Sequence, residues 1–260
     1  ARRIGGRLPE GWADAVPVFD SATATRDASG KILNAIAGVL PELVGGSADL
    51  AESNKTTLHD APYFSASHRL GRNLGYGVRE HAMAAAMNGM NLHGGVRAYG
   101  GTFLIFSDYM RAAVRLASLM ETNTIFVYSH DSIGLGEDGP THQPIEQIMS
   151  LRAMPHIHVF RPADANETRA AWKHALESQD HPTAIVLSRQ KLPLVSPSTF
   201  DALRGAYVLA DASGGAPHAV LIGTGSEVEI RLSARDLLQS DGFPTRVVSM
   251  PCWELFEVQD

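Results

Sequence analysis

TIFVYSHDSIGLGEDGPTHQ, residues 124–143, is the stretch on which the reading of the fold turns. Its β-branched and aromatic opening, Thr124 to Tyr128, predicts a strand, and Gly134, Gly136, Gly139 and Pro140 then break regular structure. A strand that runs directly into a polar, glycine-rich loop recurs on both sides of it. Upstream, Val96 to Tyr99 predicts a strand and Phe103 to Met120 a long helix. Before them, Glu80 to Asn91 reads as an Ala/Met helix closed by Gly94-Gly95. Leu43-Val44 is a short strand entering Gly45-Gly46-Ser47-Ala48-Asp49, preceded by a helix carried by Ile32, Leu33, Ile36, Val39 and Leu40. Ser53 to Arg72 reads as irregular. Downstream, Pro144 suits the first turn of a helix, and His158 to Phe160 is a strand. Asp164 and Glu167 form a capping box for a helix through Leu176, and Ala184 to Leu187 is the next strand. This alternation predicts an α/β fold, a mostly parallel sheet with helices on both faces.

Pro193, Pro197 and a Ser/Thr cluster mark Lys191 to Gly205 as a linker. A second α/β unit begins after it: strand Ala219 to Ile222, turn Gly223-Thr224-Gly225-Ser226, helix Glu227 to Gln239 and strand Thr245 to Ser249. The expected division is therefore a linker remnant at 1–20, a first domain at 21–190, a linker at 191–205 and a truncated second domain at 206–260. Both ends read as cut from a longer chain.

The chain has 260 residues, 44% hydrophobic and 19% charged, enough to bury a core. No apolar run approaches the ~18 residues that span a bilayer, and no signal-peptide core opens the sequence. Cys252 is the only cysteine, which excludes an intramolecular disulfide and a cysteine-clustered zinc site. With 22 basic and 28 acidic residues the net charge is −6, which argues against nucleic acid but leaves room for a local anion pocket.

Ligands of open parallel sheets sit beyond the carboxyl ends of the strands. That geometry nominates Gly45–Ser53, the turn after Tyr99, the loop His130–His142 and Ser188-Arg189; taken singly, each also reads as an exposed, soluble loop. The His130 loop gathers His130, Asp131, Asp138 and His142 among glycines. It suits proton transfer or a sugar's hydroxyls, and suits a metal less well because no i,i+4 pair stands on a helix. Glu80, at a helix start, is either a helix-dipole partner or, given the apolar residues that follow, a buried carboxylate for proton transfer. Phe103, Phe106 and Tyr109 at i, i+3, i+6 read as core or as a cofactor pocket. The Gly223–Ser226 turn suits an anion or a plain β–α connection.

Four of these stretches together resemble transketolase: Gly45-Gly46-Ser47-Ala48-Asp49-Leu50, Gly77-Val78-Arg79-Glu80-His81, Tyr99-Gly100-Gly101-Thr102-Phe103 and His130 through Gln143. The resemblance is densest from about Ser21 to Pro193. It implies the pyrimidine-binding domain of a thiamine-diphosphate enzyme, followed from about residue 206 by the opening of the family's C-terminal domain. The implied activity is transfer of a two-carbon ketol unit between sugar phosphates, by a cytoplasmic enzyme of the pentose phosphate pathway.

Residue by residue, Glu80 matches the glutamate that bonds N1′ of the aminopyrimidine and promotes its imino tautomer. Phe103, Phe106 and Tyr109 match the pocket for that ring, with Phe106 as the stacking partner, and Asp49 matches a residue near the cofactor. His142 matches a histidine at the donor hydroxyl and carbonyl, and Asp138 a residue that addresses a substrate hydroxyl. Arg26, Ser53, His130 and Arg189 match the ring around the sugar phosphate. The family binds the diphosphate and its Mg (or Ca) through a Gly-Asp-Gly motif in an N-terminal domain, supplied by the second subunit of a homodimer. Glu137-Asp138-Gly139 is not that motif and the sequence holds no other copy, so the resemblance implies a partial active site and an inactive isolated chain. Glu52 departs from the neutral residue usual beside Ser53. A related thiamine enzyme such as deoxyxylulose-phosphate synthase, or a non-catalytic interaction fragment, is the alternative.

Overall fold

The computed structural model describes residues 2–259. β1 (Thr23–Ala24) leads into α1 (Thr25–Val39), which buries Ile32, Leu33 and Ile36 at helical spacing. β2 (Leu43–Ser47), the single turn α2 (Ala51–Asn54) and the edge strand β3 (Asn73–Gly75) follow. Next come α3 (Glu80–His93), β4 (Arg97–Phe103), α4 (Ser107–Leu119) and β5 (Ile125–Ser129). The first unit closes with α5 (Gln147–Arg152), β6 (His158–Phe160), α6 (Ala165–Glu177) and β7 (Thr183–Val186), and β8 (Lys191–Leu192), at the head of the expected linker, pairs back onto β1.

Six strands form one sheet in the order β3-β2-β4-β5-β7-β6, with every neighbouring pair parallel. Alternation along β5 explains why both faces are covered. Ile125 and Val127 join Ile32, Leu33, Ile36 and Trp172 of α1 and α6 in one core. Phe126 and Tyr128 join Met83, Met87, Met110 and Val114 of α3 and α4 in the other. Each such fully buried side chain contributes ~1.5–3 kcal/mol. The chain steps outward from β2 to β3 and returns past β2 to β4, so a crevice opens at the carboxyl ends of β2 and β4.

Several elements differ from the sequence expectation. Phe103 closes β4 rather than opening a helix: it pairs with Ser129 of β5, a short 3-10 turn spans Leu104–Phe106, and the helix begins at Ser107. Sheet pairing on both edges of β4 carries the strand through Gly100-Gly101, where local propensity would end it. α5 begins at Gln147, after Pro144. The α6 cap is one-sided. Asp164 accepts from the N–H groups of Asn166 and Glu167, but Glu167 turns to the Ala163 N–H at 2.7 Å instead of closing the reciprocal box.

The second unit has β9 (Tyr207–Ala210), which was not apparent in the sequence, then β10 (Ala219–Gly223), α7 (Glu227–Ser240), β11 (Thr245–Ser249) and α8 (Trp253–Glu257). Its sheet is mixed: β11 runs parallel to β10 and antiparallel to β9. Arg161 sutures the two units. Its Nε bonds Asp131 at 2.9 Å, its Nη atoms reach Glu227, and Nη1 donates to the Thr224 carbonyl at 3.1 Å. The Gly225 N–H bonds the Arg161 carbonyl, and a Cβ on Gly225 would lie 2.7 Å from the Arg161 Nε. The Gly223–Ser226 turn is therefore filled by an arginine of the first unit, not open to a free anion.

Candidate active site

The carboxyl ends of the strands bring together most of the residues singled out in the sequence. At the end of β4 the Phe103 ring stacks on His130 with centroids 3.7 Å apart. Phe106 lies 5.7 Å from Phe103, Tyr109 lies 5.9 Å from Phe106, and His142 meets Phe106 edge-on at 5.2 Å. The three aromatics come from a strand end, a 3-10 turn and a first helical turn, not from one helix face. They still form a continuous wall, with Phe103 buried and Tyr109 exposed.

A second group gathers around Arg26 and Arg189. Thr25 and Ser188 exchange a double bond pattern: the Thr25 N–H donates to Ser188 Oγ at 3.1 Å, and the Ser188 N–H donates to Thr25 Oγ1 at 2.7 Å. Because Arg26 and Arg189 are the next residues along, that clamp places both guanidiniums at the same crevice. Arg26 Nη1 donates to the Ser53 carbonyl at 3.1 Å, while its Nε is buried with no partner among the described residues. Arg189 lies against Gly136, where φ is +105° and a Cβ would sit 3.1 Å from Nη1. Burial lowers the Arg26 pKa, with Arg189 adding to the fall and Asp27 and Asp138 opposing it. His130 is pushed down to about 4 by burial first, then by Arg26, with Arg189 and His142 adding and Asp138 opposing. Those couplings show that Arg26, His130, Asp138, His142 and Arg189 share one local field. His130 is thus neutral near pH 7, and the guanidiniums carry the positive charge.

Glu80 opens α3 and is buried, yet among the described residues no donor bonds its carboxylate. Asp49 is exposed, in the left-handed region at φ 63°, and shares a cavity of ≈ 310 Å³ with Ser47, Ser53, Tyr63 and Gly77. Asp138 is exposed on its loop, and His142 Nδ1 lies 2.9 Å from Thr141 Oγ1. Among the described residues no three His, Cys, Asp or Glu side chains converge on a metal position.

Sequence reasoning missed the layer behind these residues. Ser47, Asn54 and Ser129 link the loop after β2 to the end of β5, and Ser129 Oγ lies 2.9 Å from His130 Nδ1. Ser47 stood inside a quoted motif, but nothing local distinguished Asn54 or Ser129.

Comparison with known proteins bears directly on this arrangement. The family model described as "Transketolase, pyrimidine binding domain" matches residues 21–195, and "Transketolase-like TK C-terminal domain" matches residues 205–260. The chain belongs to the transketolase family. A transketolase of Geobacillus stearothermophilus is 53% identical over 264 residues, covering 99% of this chain and 40% of that protein. A Pichia stipitis transketolase solved with sedoheptulose-7-phosphate superimposes with a TM-score of 0.96 at 45% identity, over 100% of this chain and 40% of that one. A split-gene transketolase, solved as an inactive β4 tetramer, matches with a TM-score of 0.72 at 28% identity, over 88% of this chain and 71% of that chain. The transketolase-family chain described here thus spans about 40% of the length of the curated relatives it matches. Among the described residues no helix is long and apolar enough to cross a membrane.

Proposed function

We propose that this chain forms the pyrimidine side and the sugar-phosphate end of a transketolase active site. The whole protein would move a two-carbon ketol unit from a ketose phosphate, such as xylulose 5-phosphate, to an aldose phosphate, such as ribose 5-phosphate. The observation that carries this reading is the Thr25–Ser188 clamp, which brings Arg26 and Arg189 to a crevice walled by Phe103, Phe106 and His142. Paired guanidiniums suit a phosphate because each donates charge-assisted hydrogen bonds. The buried, partnerless Arg26 Nε is a further donor awaiting an acceptor. The sugar-phosphate complex of a family member supports the same assignment.

The residues present fit one end of thiamine diphosphate. Glu80 is buried at a helix start with a free carboxylate, which suits a nitrogen of an aminopyrimidine, and Phe106 offers a ring face for stacking. When bound, the cofactor supplies the carbon that accepts and releases the two-carbon unit. Glu80 holds and returns the proton at the ring nitrogen, while Phe103, Phe106 and Tyr109 exclude water from it. His142 and Asp138 orient hydroxyls of the donor sugar, Arg26, Ser53, His130 and Arg189 hold its phosphate, and Asp49 stands at the cofactor's margin. The described residues do not fit the diphosphate and its Mg or Ca. We assign that clamp to the second subunit of a homodimer, and the exposed Tyr109, Leu116 and Leu119 of α4 suit such an interface. In this reading the first domain spans 21–190, the linker 191–205, and the protein works in the cytoplasm.

Arg189→Ala, made in the protein that carries this chain with its diphosphate-binding domain, tests the assignment. The KM for ketose phosphates should rise ~10–100-fold, the size of a lost charged hydrogen bond, while hydroxypyruvate, which has no phosphate, is used nearly as before. Equal losses for both donors would make Arg189 structural.

A further inference from the structure

The hydrogen-bond chain behind His130 can be solved from one end. The Gly101 carbonyl only accepts, so the Ser47 hydroxyl, 2.8 Å away, donates to it. With its single hydrogen spent, Ser47 Oγ must accept from Asn54 at 3.1 Å, which puts the amide nitrogen of Asn54 on that side. The Asn54 carbonyl oxygen then faces Ser129, whose hydroxyl donates to it at 2.7 Å. Ser129 Oγ in turn can only accept from His130, so the proton between them, across 2.9 Å, sits on Nδ1. A backbone carbonyl of β4 thereby dictates the orientation of every group up to the imidazole.

We propose that Asn54 is a positioning residue that holds His130 as its Nδ1–H tautomer, so that the group His130 offers a ligand is an unprotonated Nε2. Among the described residues Nε2 has no hydrogen-bond partner, and the stacked Phe103 ring keeps the imidazole from turning. The consequence is a specificity rule. Nε2 accepts from a sugar hydroxyl or from the remaining O–H of a singly protonated phosphate. A fully ionised phosphate finds no donor there until Nε2 takes up a proton. The charged and titratable groups facing the ring are Arg26 on α1, Arg189 after β7, and Asp138 and His142 on the loop; both arginines and His142 oppose that proton and Asp138 favours it. Asn54 and Ser129 thus decide what His130 can recognise without touching the ligand. The functional meaning rests on His130 being a ligand contact, as proposed above; the tautomer does not.

Nitrogen-15 NMR of histidine-labelled chain at pH 7 reads the tautomer directly, with His130 assigned by its loss in His130→Gln. Wild type should show a protonated Nδ1 and an unprotonated Nε2, and Asn54→Asp, which keeps an acceptor facing Ser129, should show the same. In Asn54→Leu the Ser129 hydroxyl is released to donate to Nδ1, and the proton should move to Nε2. Ser129→Ala removes the acceptor with little change of volume and should also shift the proton, which covers the case that Asn54→Leu does not fold. A wild-type proton on Nε2, or Nδ1–H persisting in the folded variants that lack the relay, overturns the proposal. Titrating the same samples with inorganic phosphate separates the two claims: a His130 signal indifferent to phosphate would remove it from the phosphate end and leave the tautomer standing.

Discussion

Two polar regions of this chain are bonded in different ways. At the seam between the units every nitrogen of the Arg161 guanidinium is bonded. Asp164 accepts from Asn166, Glu167, Val195 and Ser196, and Glu167 takes donors from Ala163, Tyr207 and Ser249. At the crevice, among the described residues, Arg26 Nε is buried with no partner, while His130 Nε2 and the Glu80 carboxylate make no hydrogen bond within the chain. Leaving a buried polar group unmade costs ~1–3 kcal/mol. The Arg161 guanidinium avoids that cost and the Arg26 guanidinium does not, which leaves the crevice a donor free for a ligand. Around the seam, Asp131 Oδ1 and Asn166 Oδ1 are also buried without a partner among the described residues, although Asp131 Oδ2 is paired with Arg161.

The contrast predicts different responses to mutation. Arg161→Met strips the shared cation from Asp131 and Glu227, and removal of one member of a buried ion pair costs ~3–5 kcal/mol. Urea unfolding of the chain measures it, and a loss below ~1 kcal/mol would show that the seam is not held by charge. Thr25→Val breaks the clamp between the two arginines. It should cost ~1–3 kcal/mol by stranding the Ser188 N–H, and it should also weaken phosphate binding, measured by calorimetry on the same sample. A change in stability with phosphate affinity intact would separate the clamp from the site.

A smaller effect is the dependence of stability on pH. Burial and then Asp164 raise the Glu167 pKa to about 7, against an ordinary 4.5, despite the bonds it accepts. A raised folded-state value means a contribution fully present below 4.5 and lost as pH rises through about 7. His158 and His174, whose ring nitrogens lie 2.7 Å apart, are pushed by burial down to about 4 and about 3. Their contribution has the reverse sign, present above the ordinary 6.5 and lost as pH falls through those values. Glu167→Gln should therefore remove the falling contribution and make stability rise more steeply with pH between 5 and 7 than in the parent chain, followed by thermal unfolding at stepped pH. An unchanged slope would assign it to other groups. The smallest expected signal is at the crevice itself: in ligand-free chain His130 should show no titration by NMR from pH 8 down to about 5. A midpoint near 6.5 would mean that neither burial nor the arginines depress it.

The strand-to-loop reading of residues 124–143 located the crevice because β-branched runs followed by glycine report burial and its end locally. The same logic placed α1, α3 and α6. It failed at Phe103, where a helical spacing of aromatics concealed a strand end, because the pairing of Phe103 with Ser129 depends on β5 lying alongside. It also missed β3 and β9, short edge strands whose composition carries no period.

What the sequence by itself determined is the class of fold, the family and the residue types gathered at the strand ends, since hydrophobic periodicity and motif chemistry are written in neighbouring residues. Only the tertiary structure decided how those residues are held. The Ser47–Gly101 bond spans 54 positions, Asn54–Ser129 spans 75 and Thr25–Ser188 spans 163. Hydrogen bonds are short and directional, so which donor meets which acceptor is settled by packing that brings distant segments to within ~3 Å, and no local pattern encodes it.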